Sequence, residues 1–133
     1  MCLGHGRRDS RLPLSKVSIL TREASTSAFP QGVTVFRVDY SDLNQLESAM
    51  ERHQVVIYMV AIFATSGQQI LVDAAIAAGV ELFLPCEFGP PSRDEKFAAL
   101  RPALPPKIAT VDYLRSKESQ ISWSALVPGA FFD

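Results

Sequence analysis

Apolar residues follow two rhythms along this chain, and the switches between them predict its elements. From Gln54 to Ile62 (QVVIYMVAI) nearly every position is apolar, with no period of two. Such a run suits a strand covered on both faces, as in a parallel sheet. Ser66-Gly67 breaks it. From Gln68 to Ala78 the spacing becomes helical: Ile70, Leu71, Ala74, Ala75 and Ala78 share one stripe among good helix formers. Gly79 then stands where a helix ends in a left-handed turn. Glu81 to Pro85 is a second short apolar run. Two parallel strands need such a crossover helix, and it is nearly always right-handed.

The same reading extends in both directions. Lys16 to Leu20 (KVSIL) predicts a strand followed by Thr21-Arg22-Glu23, and Ala24 to Gly32 a Ser/Thr/Pro/Gly loop. Val33 to Val38 (VTVFRV) predicts the next strand. Ser41 is placed to cap a helix reaching about His53, with Asp42 in its first turn and Leu43, Leu46 and Met50 as its stripe. After Gly89 comes a polar, proline-punctuated stretch with a turn of helix at Glu95 to Leu100. Lys107 to Lys117 predicts a helix burying Ile108, Val111 and Leu114, and Ile121 to Val127 (ISWSALV) a last strand. Met1 to Ser15 has no apolar run and is expected to be irregular or disordered. Short links between alternating strands and helices argue an α/β fold with a Rossmann-like, doubly wound parallel sheet.

Composition narrows the function classes. A chain of 133 residues supports one domain with a real core. Hydrophobic residues make up 47% and charged ones 20%, which argues against disorder throughout. A net charge of −1 gives no basic footprint for nucleic acid. The longest uncharged apolar run, Val55 to Ala64, is too short to cross a membrane, so no membrane partner is expected. The two cysteines, Cys2 and Cys86, make neither a disulfide framework nor a metal site; a reducing, cytoplasmic setting fits them.

In a parallel α/β sheet ligands bind beyond the carboxyl ends of the strands. The residues to read are therefore Thr21-Arg22, Asp39-Tyr40, Val60 to Thr65, Cys86 to Gly89, and Lys107 at a helix start. A positive residue just past the second strand of a dinucleotide fold pairs with a 2′-phosphate, which singles out Arg22. Tyr40 offers a stacking surface, while Asp39 is equally suited to bracing the turn before the helix at Ser41. Tyr113 and Lys117 spell Y-x-x-x-K on one helical face. However, Lys117 lies about 15 Å along the helix from Lys107, toward the other edge of the sheet, and reads as surface or packing. His5 and His53 have no partner in the sequence and are expected to be solvated.

Several pieces together carry a resemblance: TR after one strand, VDYSD after the next, SGQQ with LVDAAIAAGV, LPCEFG, the DYL that follows Lys107, ISWSALV, and PGAFFD. From about Val17 to Asp133 the chain resembles the NmrA-like and isoflavone-reductase-like family of atypical short-chain dehydrogenases. That resemblance implies a Rossmann domain that binds NADP(H), followed by a smaller substrate domain. Its members are either reductases or non-catalytic redox sensors. Carried over residue by residue, it makes Lys107 the active-site lysine and Arg22 the NADP-selecting arginine. It sets Thr21, Asp39 and Tyr40 beside the adenosine end, and the Val60 and Ala61 backbone along the crevice. Gln69 and Phe88 fall toward the nicotinamide. The implied reaction is hydride transfer to a small, aromatic or conjugated substrate.

Three departures stand out. The family has Ser where this chain has Cys86. The family also opens with a strand and a G-x-x-G-x-x-G turn that cradles pyrophosphate; Gly4-His5-Gly6 is too short for this. Finally, the chain ends at Asp133, where the substrate domain would begin. The expectation is a fragment truncated at both ends: a partial Rossmann domain over residues 16–133 without its usual first strand. In the strand order 3-2-1-4-5-6 that strand is central. Its loss would expose two backbone edges and favour self-association through them.

Overall fold

The computed structural model describes residues 2–5, 16–60, 67–96 and 104–129. In chain order the elements are β1 (Cys2–His5), β2 (Lys16–Arg22), β3 (Thr34–Val38), α1 (Leu43–Met50), β4 (Val55–Ile57), α2 (Gln68–Ala77), β5 (Leu82–Leu84), α3 (Leu104–Ser116) and β6 (Ser122–Trp123). The strands form one six-stranded sheet in the order β3-β2-β1-β4-β5-β6. β2 pairs parallel with β3, and β4, β5 and β6 pair parallel in turn. This is the Rossmann-like α/β order that the alternation of elements predicts.

The first-strand slot is occupied, and from the opposite direction. β1 pairs antiparallel with β2 (Cys2 opposite Ile19, His5 opposite Lys16) and antiparallel with β4 (Cys2 opposite Ile57). The irregular segment expected over 1–15 is thus corrected at Cys2–His5; residues 6–15 lie outside the described residues. The two edges expected to be bare, on β2 and β4, share β1 as a neighbour. Backbone chemistry accounts for this. Two facing rows of unpaired N–H and C=O groups attract any segment that can reach them, whatever its side chains. An antiparallel entry needs only a loop, not a crossover helix.

Element ends also shift. Thr21 and Arg22 are the last residues of β2, held opposite Arg37 and Val38, rather than the first residues beyond it. The long apolar run at Gln54 to Ile62 contributes only three ladder residues, because its partner β5 ends at Leu84; the Tyr58 N–H adds one more bond to the Leu84 carbonyl (2.9 Å). Asp42, not Ser41, caps α1, accepting from the Asn44 and Gln45 N–H groups. α2 ends as predicted. Gly79 takes φ 73°, its N–H bonds the Ile76 carbonyl, and the Val80 N–H reaches the Ala75 carbonyl, closing two carbonyls of the last turn. α3 starts at Leu104, so Pro105 and Pro106 fall in its first turn, where a missing N–H breaks no helical bond.

α1 packs on β3 and α2, and α2 packs on α3, so the three helices form one layer. Leu20, Val56, Tyr58 and Phe83 from the strands meet Leu46, Met50, Leu71, Val72, Ala75 and Leu114 from the helices in a single buried cluster. Ile19, Ile57 and Leu84, aligned across the other side of the sheet, are only half-buried.

Candidate functional site

The carboxyl ends of β2 to β5 bring most of the sequence-selected residues to one edge of the sheet. At the β2 end Thr21 is half-buried and Arg22 exposed. The Arg22 carbonyl accepts from the Ser25 N–H (2.9 Å), and the Glu23 N–H donates to the Val38 carbonyl (2.9 Å). These bonds fix the backbone that carries the guanidinium. The following loop is tied down by Arg37, whose guanidinium donates to the Ser25 and Ser27 carbonyls and lies 5.8 Å from the Phe29 ring centroid.

Next to Arg22, Tyr40 is half-buried, and its hydroxyl donates to the Leu20 carbonyl (3.1 Å). Burial raises its pKa above the ordinary phenol value, with the Arg22 charge opposing. Asp39 is exposed and already engaged: its Oδ1 accepts from the Ser41 N–H (2.9 Å) and hydroxyl (2.7 Å), which hold its pKa below the ordinary carboxylate value. Of the two roles open to Asp39, bracing the turn is the one seen. At the end of β4, Tyr58 is buried; burial first, then the neighbouring Tyr40 and Cys86, push its pKa up to about 12. A tyrosine inside an apolar run reads as core, so nothing in the sequence singled it out.

Further along the edge lies a cavity of about 220 Å³, lined by Met59, Val60, Cys86, Phe88, Gly89, Pro90, Leu104 and Lys107. Val60 and Phe88 are half-buried and pack on the core. Lys107 is only 3% exposed, one turn inside α3, and its ammonium makes no hydrogen bond or ion pair among the described residues. The Cys86 thiol donates to the Val60 carbonyl (3.3 Å). The Cys86 N–H donates to Oε1 of Gln68, which is 1% exposed. Gln69, the residue selected from sequence, points to solvent instead. The helix begins at Gln68, so its neighbour is the glutamine that turns inward. Ala61 lies outside the described residues.

Two other sequence readings resolve. Tyr113 donates to Asp73 on α2 (2.5 Å), and the Lys117 ammonium sits 5.3 Å from its ring centroid. The Y-x-x-x-K pair therefore joins two helices and is packing. His53 is not simply solvated: Nε2 lies 3.2 Å from the Ser18 hydroxyl and its ring meets Phe36 edge-on. Among the described residues no cluster of metal-binding side chains occurs, and no helix is long and apolar enough to cross a membrane.

Arg22 and Tyr40 thus stand together at one end of this edge, and Lys107 and Phe88 line the cavity at the other. The middle differs. β1 ends at His5, opposite Lys16 at the amino edge of the sheet, so no glycine turn can follow it at the carboxyl edge.

Strand order and crevice define a Rossmann-like α/β domain. Comparison with known proteins gives the family: the NmrA-like family model matches residues 13–133, and the chain belongs to that family. Oxidoreductase aprR of Aspergillus flavus is 40% identical over 121 residues, 88% of this chain and 40% of that protein. Oxidoreductase BOA1 of Botryotinia fuckeliana is 27% identical over 122 residues, 86% of this chain and 40% of that protein. The chain thus spans about 40% of the length of these relatives. Among solved structures, AtPrR2 with NADP+ and (+)pinoresinol superposes with a TM-score of 0.62 at 25% identity, over 75% of this chain and 34% of that one. An isoflavone reductase does so at 0.59 and 21% identity, over 78% and 38%.

Proposed function

We propose that this chain is the NADP(H)-binding part of an oxidoreductase that passes hydride between the nicotinamide and a small aromatic or conjugated substrate. The observation that carries the reading is Lys107, a lysine only 3% exposed that lines the cavity at the carboxyl edge of the sheet. Membership of the NmrA-like family and the NADP+ bound by AtPrR2 support it. In this reading Arg22 meets the 2′-phosphate, Tyr40 flanks the adenosine, and Val60 and Phe88 wall the nicotinamide side. Lys107 bonds the ribose or gives a proton to a substrate oxygen. With β1 reversed, the pyrophosphate falls to the N-terminus of α2, whose N-cap residue, Gly67, offers no side-chain cap. A reducing cytoplasmic setting goes with the free, buried Cys86 thiol.

Titration with NADPH and NADH, followed by nicotinamide fluorescence, tests this. Micromolar binding with NADPH preferred is expected. Arg22→Ala should weaken NADPH about ten- to a hundredfold, the value of one charge-assisted contact, and leave NADH unchanged. Absence of binding to either at millimolar concentration would overturn the reading. The reversed β1 favours a second reading, a nucleotide-sensing regulator that does no chemistry. Partner capture that depends on NADPH, without NADPH turnover on any conjugated carbonyl, would support that reading instead.

A further inference from the structure

The cavity beside Lys107 holds a second reactive group that the reading above leaves idle. Cys86 is where this chain departs from the family pattern, which has serine. It lines the cavity together with Lys107, and the rest of the wall is largely apolar, with Met59, Val60, Phe88 and Leu104. Two bonds hold the cysteine in place: its N–H donates to Oε1 of Gln68 (3.2 Å), and its thiol donates to the Val60 carbonyl (3.3 Å). The second bond uses the thiol hydrogen and leaves the sulfur lone pairs free. Cys86 is 4% exposed and Met59 48%, so a reagent reaches the sulfur by way of the cavity.

Lys107 is the independent sign of a ligand. It is 3% exposed, lines the same cavity, and has no hydrogen bond or ion pair among the described residues. An ammonium so placed calls for an acceptor from outside the chain. The cavity, about 220 Å³, exceeds the roughly 150 Å³ that takes a benzene ring. Its occupant is therefore small and mainly apolar, with an acceptor oxygen. A soft nucleophile and a hydrogen-bond donor in one apolar chamber match a conjugated carbonyl compound: the β-carbon is the soft electrophile, and the oxygen takes the donor.

We propose that Cys86 is a covalent modification site for a small α,β-unsaturated carbonyl compound held in this cavity. In the addition an S–C bond forms at the β-carbon, and the C=C π bond opens to an enolate whose oxygen accepts from the Lys107 ammonium. The thiol proton ends on the α-carbon, so nothing is oxidised or reduced and no co-reactant is needed. A serine hydroxyl, a weak nucleophile without an adjacent base, would not add. The inference stands on the cavity and not on the NADP(H) reading, so either can fail without the other.

The test uses the whole chain without cofactor, 2-cyclohexen-1-one as the probe, and detection by intact mass and peptide map. Cys86 should gain one probe mass, at a rate that saturates with probe concentration and is about tenfold above its rate in urea. Cyclohexanone, of similar shape but without the conjugated bond, should slow labelling by competition. Lys107→Gln should slow it about ten- to a hundredfold, as for one lost donor to a developing oxyanion, and leave labelling in urea unchanged. Labelling of Cys86 slower in the folded chain than in urea would overturn the proposal and show an inert core thiol. So would a rate linear in probe and indifferent to cyclohexanone, or a folded Lys107→Gln chain that labels at the unsubstituted rate. The urea and competition readings use the unsubstituted chain, so they decide even where Lys107→Gln does not fold.

Discussion

Lys107 and Tyr113 show how differently two residues on one helix can be used. Lys107 follows two prolines and reaches a cavity. Tyr113, about a turn and a half further on, spends its hydroxyl on Asp73, and that bond, more than burial, raises its pKa to about 12. Because the folded value lies above the ordinary phenol value of 10, the contribution is fully present below about pH 10. It is lost as pH rises through about 12. Tyr113→Phe should therefore cost about 1 kcal/mol at neutral pH, a single partly solvated hydrogen bond, and progressively less above pH 10. Urea denaturation at about pH 8 and about pH 11 would show this. NADPH affinity should not change, since the hydroxyl is bonded to Asp73. At this scale the sequence located chemistry better than it oriented it. Arg22 was singled out from a strand end, and Lys107 from a helix start together with the family resemblance. The choice between Gln68 and Gln69 turned on a helix start, known from sequence only to within a residue or two, and a one-residue shift turns a helical side chain by about 100°. Tyr58 carries no signal at all, since burial of a polar group inside an apolar stretch is a property of the fold.

At the scale of elements, capping decides the ends. The loop before α1 is a closed set of bonds: Asp39 holds Ser41, Asp42 holds Asn44 and Gln45, and the Gln45 side chain returns to Asp42 and to the Asp39 N–H. Hydrogen bonds to Ser41 depress the Asp39 pKa, and bonds to Gln45 depress that of Asp42. Their contribution is present above the ordinary carboxyl range and lost as pH falls through the lower folded values. The melting temperature should fall as pH drops below about 4. Asp42→Asn should flatten that slope, because an amide oxygen caps without titrating. An unchanged slope would remove Asp42 from the account. Periodicity identified every helix. Their first residues were harder to place because Ser41, Asp42 and the two prolines each suit more than one position in a first turn.

For the whole molecule, the strand order was readable and the direction of its central strand was not. Nothing in Cys2–His5 marks a strand; the gap between β2 and β4 makes it one. Leu3 stands in the middle of that ladder, opposite Ser18 and Val56. Leu3→Pro should remove a donor from a strand paired on both sides and destabilise the chain by about 3 kcal/mol, measured by urea denaturation. A neutral result would mean that the central pairing contributes nothing. β3 and the two-residue β6 are the edges that remain, so any self-association should run through them rather than through the middle of the sheet.

The direction of β1 also bears on how the chain reaches this fold. A parallel first strand can be paired only after a crossover has been built around it. A reversed one folds back on β2 as a hairpin, with Cys2 and Ile19 only 17 residues apart. That contact closes a short loop, and hairpins of this kind form within microseconds. Half of the central pairing is therefore available early, as a template waiting at the start of the chain. The β4 strand, arriving some fifty residues later, completes it. The slow step then becomes the docking of β4 with its helix onto that template, and substitutions in the hairpin should change the folding rate more than the unfolding rate.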